Sequence, residues 1–362
     1  MKCSIILLLL IPCMSFAGKD DPSVEKKISK EFAIKTDGRV ELDNKYGNID
    51  VAIGTGNQVK LDIVITASAG SERKAQEALD RIAIMFDEGN NRISARTEIE
   101  TLTGWTSWFN IGNTSIEVNY HVMVPADIFL DLTNRYGNIY VETTNRDLTI
   151  DLGYGDIRLG DVNGKLKLDM AYSEGTLSQI HDGDLDLSYS DLEMEDGKKV
   201  IIEMKNTDLQ SGTFDELKMV SSYSDWQAVS VSDLDYTGKY DDVKIDRVDK
   251  INAETGFTGI AINDLTKEGI FEMRYGELKL EQIHKGFSTI NLNTAYTGVK
   301  LDFMPDASYT VDADVNYCDI QHSDLKITES IEKATGSTLK ASRGSGGGTV
   351  YARMNYGDLS IE

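Results

Sequence analysis

Apolar and polar residues alternate in short runs through most of this chain. From Tyr154 onward, Ile157 and Leu159 alternate with polar residues and Val162 follows. Leu166, Leu168 and Met170 then alternate in turn. Apolar residues two apart mark strands with one buried face. Asn163-Gly164, between the two runs, is a turn signal. The pattern predicts a coil of two short strands and two turns, opened each time by a tyrosine.

That coil repeats. Tyr136-Gly137-Asn138-Ile139-Tyr140-Val141 is followed by Tyr154-Gly155-Asp156-Ile157-Arg158-Leu159, and further copies start at Tyr172, Tyr189, Tyr223, Tyr240, Tyr275, Tyr296, Tyr317 and Tyr356. The steps from Tyr136 to Tyr189 are 18, 18 and 17 residues, and those from Tyr275 to Tyr317 are 21 and 21. Asn206-Thr207-Asp208-Leu209 and Phe257-Thr258-Gly259-Ile260 fill the two double-length steps. A fixed period this short predicts a solenoid, in which each coil buries its apolar face against its neighbours. Glycine after tyrosine is expected to supply backbone freedom at the corner. The tyrosines are expected to stack, since parallel strands lie about 4.8 Å apart. The step from Tyr317 to Tyr356 leaves room for one degenerate coil near Thr338-Leu339-Lys340-Ala341, and Gly344 to Gly348 reads as a loop.

Before the regular coils the period changes. Val59, Leu61, Ile63 and Ile65 predict a longer strand over 58–68. Ala75, Ala78, Leu79, Ile82 and Met85 are spaced three and four apart and predict a helix at about 71–86, with Ser71 as its N-cap. Residues 91–98 and 114–124 read as strands, joined by a loop holding Trp105, Trp108 and Phe109, which are expected to pack the helix. Residues 36–130 thus read as an N-terminal cap built around a first motif copy, Tyr46-Gly47-Asn48-Ile49-Asp50-Val51. Such a cap covers strand edges that an open solenoid end would expose. Residues 131–362 are the solenoid repeats.

The first residues carry a targeting pattern. Lys2, the apolar run Ile5 to Ile11 and Ser15-Phe16-Ala17 predict a signal peptide over 1–17, followed by a polar leader over 18–35. The chain is therefore expected outside the cytoplasm: in the periplasm, on the outer surface or secreted. Lipidation at Cys13 is the alternative, although Leu10-Ile11-Pro12 before it lacks the usual small residue. No run is apolar enough to predict a membrane span. Removal of Cys3 and Cys13 with the signal leaves Cys318, read as a small residue in the glycine column. With 60 acidic and 37 basic residues the formal charge is −23, which argues against nucleic acid as a partner.

Candidate chemistry is dominated by carboxylates. Asp156, Glu174, Asp191, Asp208, Asp225, Asp242 and Glu277 form one column, and Asp151, Asp169, Asp186 and Glu203 a second. Stacked like charges repel unless they cap turn amides or bind a weakly held Ca²⁺, and both resolutions stay open. The glycine-rich nonapeptide of calcium-binding β-rolls is absent from the sequence. His121, His181, His284 and His322 show no metal-ligand spacing. No nucleophile elbow, P-loop or dinucleotide fingerprint appears. The reading is no catalytic residue, no cofactor and no metal site.

The signal pattern, the Tyr-Gly-Asn/Asp-Ile-x-Val repeat and the helix-bearing cap together resemble a bacterial adhesin-like repeat family of unknown function (DUF4097-like), common in Bacteroidetes envelope proteins. The resemblance spans most of 36–362. It implies a mainly β fold, a right-handed parallel β-solenoid of 17–21 residues per coil with a small α/β cap. The usual hand of parallel crossovers agrees. It also implies a non-enzymatic envelope protein, adhesin-like or structural, that meets an envelope protein or a glycan. An envelope-stress accessory or sensor is the second expectation, and a polysaccharide-active enzyme the third. The stack is expected to hold roughly a dozen coils.

Overall fold

A computed structural model describes residues 21–100 and 114–362. The expected signal peptide and the cluster of Trp105, Trp108 and Phe109 lie outside the described residues. The fold is a β-solenoid of stacked parallel coils, about 10 turns with 75% of residues in strands. Two compact units divide the chain, Met1–Ser178 and Gln179–Glu362.

In the first unit β1 (Ser23–Ala33), β2 (Arg39–Lys45), β3 (Ile49–Gly54) and β4 (Gln58–Ser68) precede the helix α1 (Glu72–Leu79). After it come β5 (Ile82–Gly89), β6 (Arg92–Ile99), β7 (Ser115–Pro125), β8 (Phe129–Arg135), β9 (Ile139–Val141), β10 (Leu148–Gly153), β11 (Asp156–Leu159) and β12 (Val162–Ala171). β13 (Glu174–Ser188) begins in this unit. Two parallel ladders form the coils: β6-β2-β8-β10-β12 on one side and β7-β3-β9-β11-β13 on the other. Beyond β7 the direction reverses, because β4 pairs with it antiparallel and β1 pairs antiparallel with β4. β5 is antiparallel to β6.

Two expectations for this region need correction. The stretch read as a polar leader contains β1, whose inward positions are half-buried and include Lys26 and Lys30. Those lysines hide the alternation of Val24, Ile28 and Phe32. Lys30 lays its ammonium 3.9 Å from the Phe86 ring centroid. Long amphipathic side chains can serve as inward residues of an outer strand in this way. The helix also ends earlier than its spacing predicts, at Leu79 with Asp80 as C-cap. Ile82, Ile84 and Phe86 instead alternate as the inner face of β5, and Met85 is 49% exposed. α1 buries only Ala75, Ala78 and Leu79, and packs on β4 and β1.

The second unit holds β14 (Asp191–Lys205), β15 (Asp208–Ser222), β16 (Asp225–Lys239), β17 (Asp242–Gly256), β18 (Gly259–Ile283) and β19 (Thr289–Phe303). β20 (Tyr309–Asn316), β21 (Ile320–His322), β22 (Lys326–Lys333), β23 (Gly336–Arg343), β24 (Gly348–Asn355) and β25 (Leu359–Ile361) follow. β14 to β19 pair in sequence, all parallel. Each of β14 to β17 is one continuous strand rather than two strands and a turn. In β14 the inward residues are Leu192, Met194, Gly197, Val200, Ile202 and Met204. Two pairs of exposed residues, 195–196 and 198–199, shift the alternation and bend the strand around the core. Side-chain volumes compensate between coils. Gly197 faces Phe214, and a Cβ there would stand 2.7 Å from that ring. Trp226 reaches over small Ser211 and donates to its Oγ at 3.0 Å. Close packing of this kind is what fixes the register of neighbouring coils.

The C-terminal coils are not stacked in sequence order. β24 lies between β19 and β20, parallel to both. β25 lies between β19 and β21. The segment expected as a degenerate coil, Thr338 to Ala341, belongs instead to β23, which runs antiparallel to β20 and forms a hairpin with β22. Gly344, Gly346 and Gly347, all with positive φ, carry the chain from β23 back to β24.

Candidate functional site

The most regular surface feature is the tyrosine corner. Every motif tyrosine takes a left-handed backbone, with φ from 52° at Tyr189 to 62° at Tyr240. Phe257 and Asn206, which hold the same place, do so too. The glycine after the tyrosine does not have positive φ, so its expected role is corrected. Its task is close packing: a Cβ on Gly155 would be driven into the carbonyl oxygen of Gly137, and one on Gly276 into that of Thr258.

The left-handed corner turns each ring outward onto its neighbour. In the first unit Tyr46, Tyr136, Tyr154 and Tyr172 stack with centroids 5.3, 5.1 and 5.0 Å apart. In the second, Tyr223, Tyr240, Phe257, Tyr275, Tyr296, Tyr356 and Tyr317 stack at 4.7–4.8 Å. The rungs follow the spatial order of the coils, so Tyr356 stands between Tyr296 and Tyr317. Ring faces cover one another while ring edges meet solvent; Tyr223 remains 57% exposed and Tyr317 58%.

Beside this stripe runs the first acidic column. Asp156 and Glu174 are register partners, as are Asp191, Asp208, Asp225 and Asp242 in succession. Two hydrogen-bonding devices finish the corner. In the first unit the Asn at this column is the cap: Asn48 Oδ1 accepts from Asn138 N at 3.0 Å, and Asn138 Oδ1 from Asp156 N at 2.8 Å. From Tyr189 to Phe257 the preceding position is Ser, Thr or Asp rather than Gly, and its side chain takes over. Ser224 Oγ accepts from Thr207 N at 3.2 Å, Asp241 Oδ1 from Ser224 N at 3.0 Å, and Thr258 Oγ1 from Asp241 N at 3.4 Å. The carboxylates of the next position are thereby released to solvent. Lys244 meets Asp242 at 2.8 Å. Partial burial, then repulsion from Asp191 and Asp225, push the Asp208 carboxyl above its ordinary pKa. Turn capping thus falls to Asn48 and Asn138, and at the C-terminal rungs to Asp358, whose Oδ1 accepts from Asp319 N at 3.4 Å, while the Asp191–Asp242 run is a row of like charges.

The second column is broken up. Asp151 faces Asp169, and its two carboxylate oxygens accept from Arg135 Nη2 at 2.6 and 2.7 Å. Glu203 faces Val220. His121 lies 3.0 Å from Asp50 and His284 3.1 Å from Asp264. Cys318 stands in the small-residue column, its Sγ donating to Asn316 O at 3.1 Å, and burial raises its thiol pKa. No group of three or more His, Cys, Asp or Glu among the described residues is placed to hold a metal ion. No described helix is long and apolar enough to cross a membrane.

Sequence reasoning passed over Asp241. It is buried at 6% exposure, and its carboxylate accepts from Ser221 Oγ, Ser224 N, Tyr236 Oη and Lys239 N at 2.7–3.0 Å. Four donors replace the water it loses. The signal was available: it is a charged residue in a column of Gly, Ser and Thr.

No family model matches the chain, and no curated protein matches it in sequence. Similar solved structures include a protein provisionally called a cell adhesion protein from Clostridium sporogenes. It has 7% identity and a TM-score of 0.18, over 93% of this chain and 99% of that one. A protein provisionally called an adhesin from Bacteroides fragilis has 9% identity and a TM-score of 0.22, over 93% and 97%. Another so described, from Parabacteroides merdae, has 12% identity and a TM-score of 0.20, over 77% and 92%. At such scores these likenesses carry no argument about what this chain does.

Proposed function

We propose that this chain is a non-enzymatic, extracytoplasmic binding element of the bacterial envelope, adhesin-like in the broad sense. The observation that carries the reading is the half-exposed aromatic stripe, in which one recognition unit repeats on rung after rung. Equivalent rungs suit multivalent attachment to a repetitive partner such as a glycan, where many weak contacts add. Catalysis needs one place where unlike groups converge. The targeting pattern at Lys2 to Ala17 supports an extracytoplasmic location, and the repeat motif supports kinship with the DUF4097-like family.

The test replaces Tyr240 and Tyr275 by Asn, the residue that already serves the left-handed corner at position 206. The fold, followed by circular dichroism, is expected to persist. Retention on immobilised envelope polysaccharide and extracellular-matrix preparations is expected to fall about tenfold. Retention unchanged by both substitutions, or release of reducing ends from polysaccharide by the wild-type chain, would sink the reading.

A further inference from the structure

The terminal coils of the two units are finished differently. In the first unit, β3 has β7 along its outer edge in parallel register, Ile49 facing Tyr120 and Val51 facing Val122. β2 has β6. In the second unit the last rung is β20 with β21. β20 has partners on both edges, β24 and β23. β21 pairs with β25, and no other described strand takes its outer edge.

The ladder shows which groups are left over. Asp319 O accepts from Leu359 N at 2.9 Å, and Ser323 N donates to Ile361 O at 3.0 Å. In a parallel ladder alternate residues turn both backbone groups to opposite sides. Ile320 and His322 therefore point N–H and C=O away from the stack. They open onto a cavity of about 720 Å³ between β21 and the β22–β23 hairpin. Ile327 on its wall is 47% exposed, and Ile320, which prolongs the buried row of Val299 and Leu359, is left half-covered. Thr338 Oγ1, also on the lining, is buried without a hydrogen-bond partner. Among the described side chains, the charged residues around the cavity are Asp319, Glu332 and Asp358, with neither lysine nor arginine among them.

We propose that this slot receives an extended peptide segment of a partner protein, added to β21 as one more strand, with alternating apolar and basic residues. Backbone pairing supplies affinity and alternate side chains supply selectivity in such additions. Apolar residues would cover Ile320 and Ile327, and basic residues would answer the three carboxylates. The occupied edge of β3 shows the equivalent place filled by a strand of this chain itself. The inference is independent of whether the tyrosine stripe binds anything.

The probe is a fluorescein-labelled peptide, Val-Lys-Val-Arg-Val, titrated against the full chain by fluorescence anisotropy. Saturable binding is expected. His322→Pro removes an outward N–H and no bond to β25, so it is expected to keep the melting temperature and weaken binding about tenfold or more. Ile327→Asp, on the hairpin wall, is expected to do the same without touching β21. A peptide with Glu for Lys and Arg is expected to bind about tenfold more weakly. Binding insensitive to both substitutions, no saturable binding, or equal affinity for the acidic peptide would overturn the proposal. So would dimerisation of the chain that His322→Pro abolishes, since it assigns the slot to a second copy.

Discussion

A tyrosine held at positive φ is an expensive residue. The left-handed region costs an L-residue about 1–2 kcal/mol, and a stacked aromatic pair returns about 0.5–1.5 kcal/mol beyond its buried area. The two terms nearly cancel, which explains why Asn206 and Phe257 can hold the same corner. Tyr240→Val forfeits the stack and places a β-branched residue in the left-handed region. It is expected to lower stability by about 2–3 kcal/mol, and Tyr240→Asn by about 1 kcal/mol. Urea titration of the two variants separates them; coincident midpoints would refute the strain argument. Gly276→Ala pushes a methyl group into the carbonyl of Thr258 and is expected to cost about 1–3 kcal/mol. The repeated Tyr-Gly pair was legible from the first copy, but the division of labour within it was not. Glycine usually supplies positive φ, and only the neighbouring coil reveals that here it supplies clearance.

Elements were read well where one rule governed them. Alternation placed β4, β6 and β7 within a residue or two, since each has one clean inner face. It failed at β1, where lysines take inward positions, and at the α1–β5 junction, where Ile82 satisfies the helical and the strand period together. The acidic columns failed for a subtler reason. Whether a residue of this column caps a turn depends on its neighbour: after glycine, Asn48, Asn138 and Asp358 cap, whereas serine or threonine takes the capping over. The consequence is electrostatic. The raised pKa of Asp208 means that ionisation is less favourable in the folded chain, so its charge costs stability at neutral pH. That cost is present above the folded-state pKa and disappears as pH falls below the ordinary aspartate range. Asp208→Asn is therefore expected to stabilise the protein at pH 7 by about a few tenths of a kcal/mol. The gain should vanish near pH 3 and shrink in high salt; thermal melts across pH that show a constant gain would contradict it.

On the scale of the whole molecule the periodic sequence announced a solenoid and left the order of its last rungs undetermined. The motif at Tyr356 matches those at Tyr296 and Tyr317, so pattern alone fits it to either side of the Tyr317 coil. Packing decides the matter: Val350, Ala352 and Met354 lie between the rows of β19 and β20. A chain stopped after Gly347 would expose facing edges of both strands. It is expected to melt at lower temperature and to associate on gel filtration, as unpaired edges do; an unchanged, monomeric product would argue that the inserted rung is dispensable.

The out-of-order rung also bears on how the protein is made. A solenoid whose coils stack in sequence order can fold from its N-terminus as the chain emerges, each new coil finding its template already in place. Here β20 and β21 are synthesised before the strands that separate them from β19. The gap must stay open, or be reopened, until Ile361 arrives. Synthesis of β24 and β25 thus becomes the event that seals the second unit, and a chain interrupted before Gly348 carries its own mark of the missing rung.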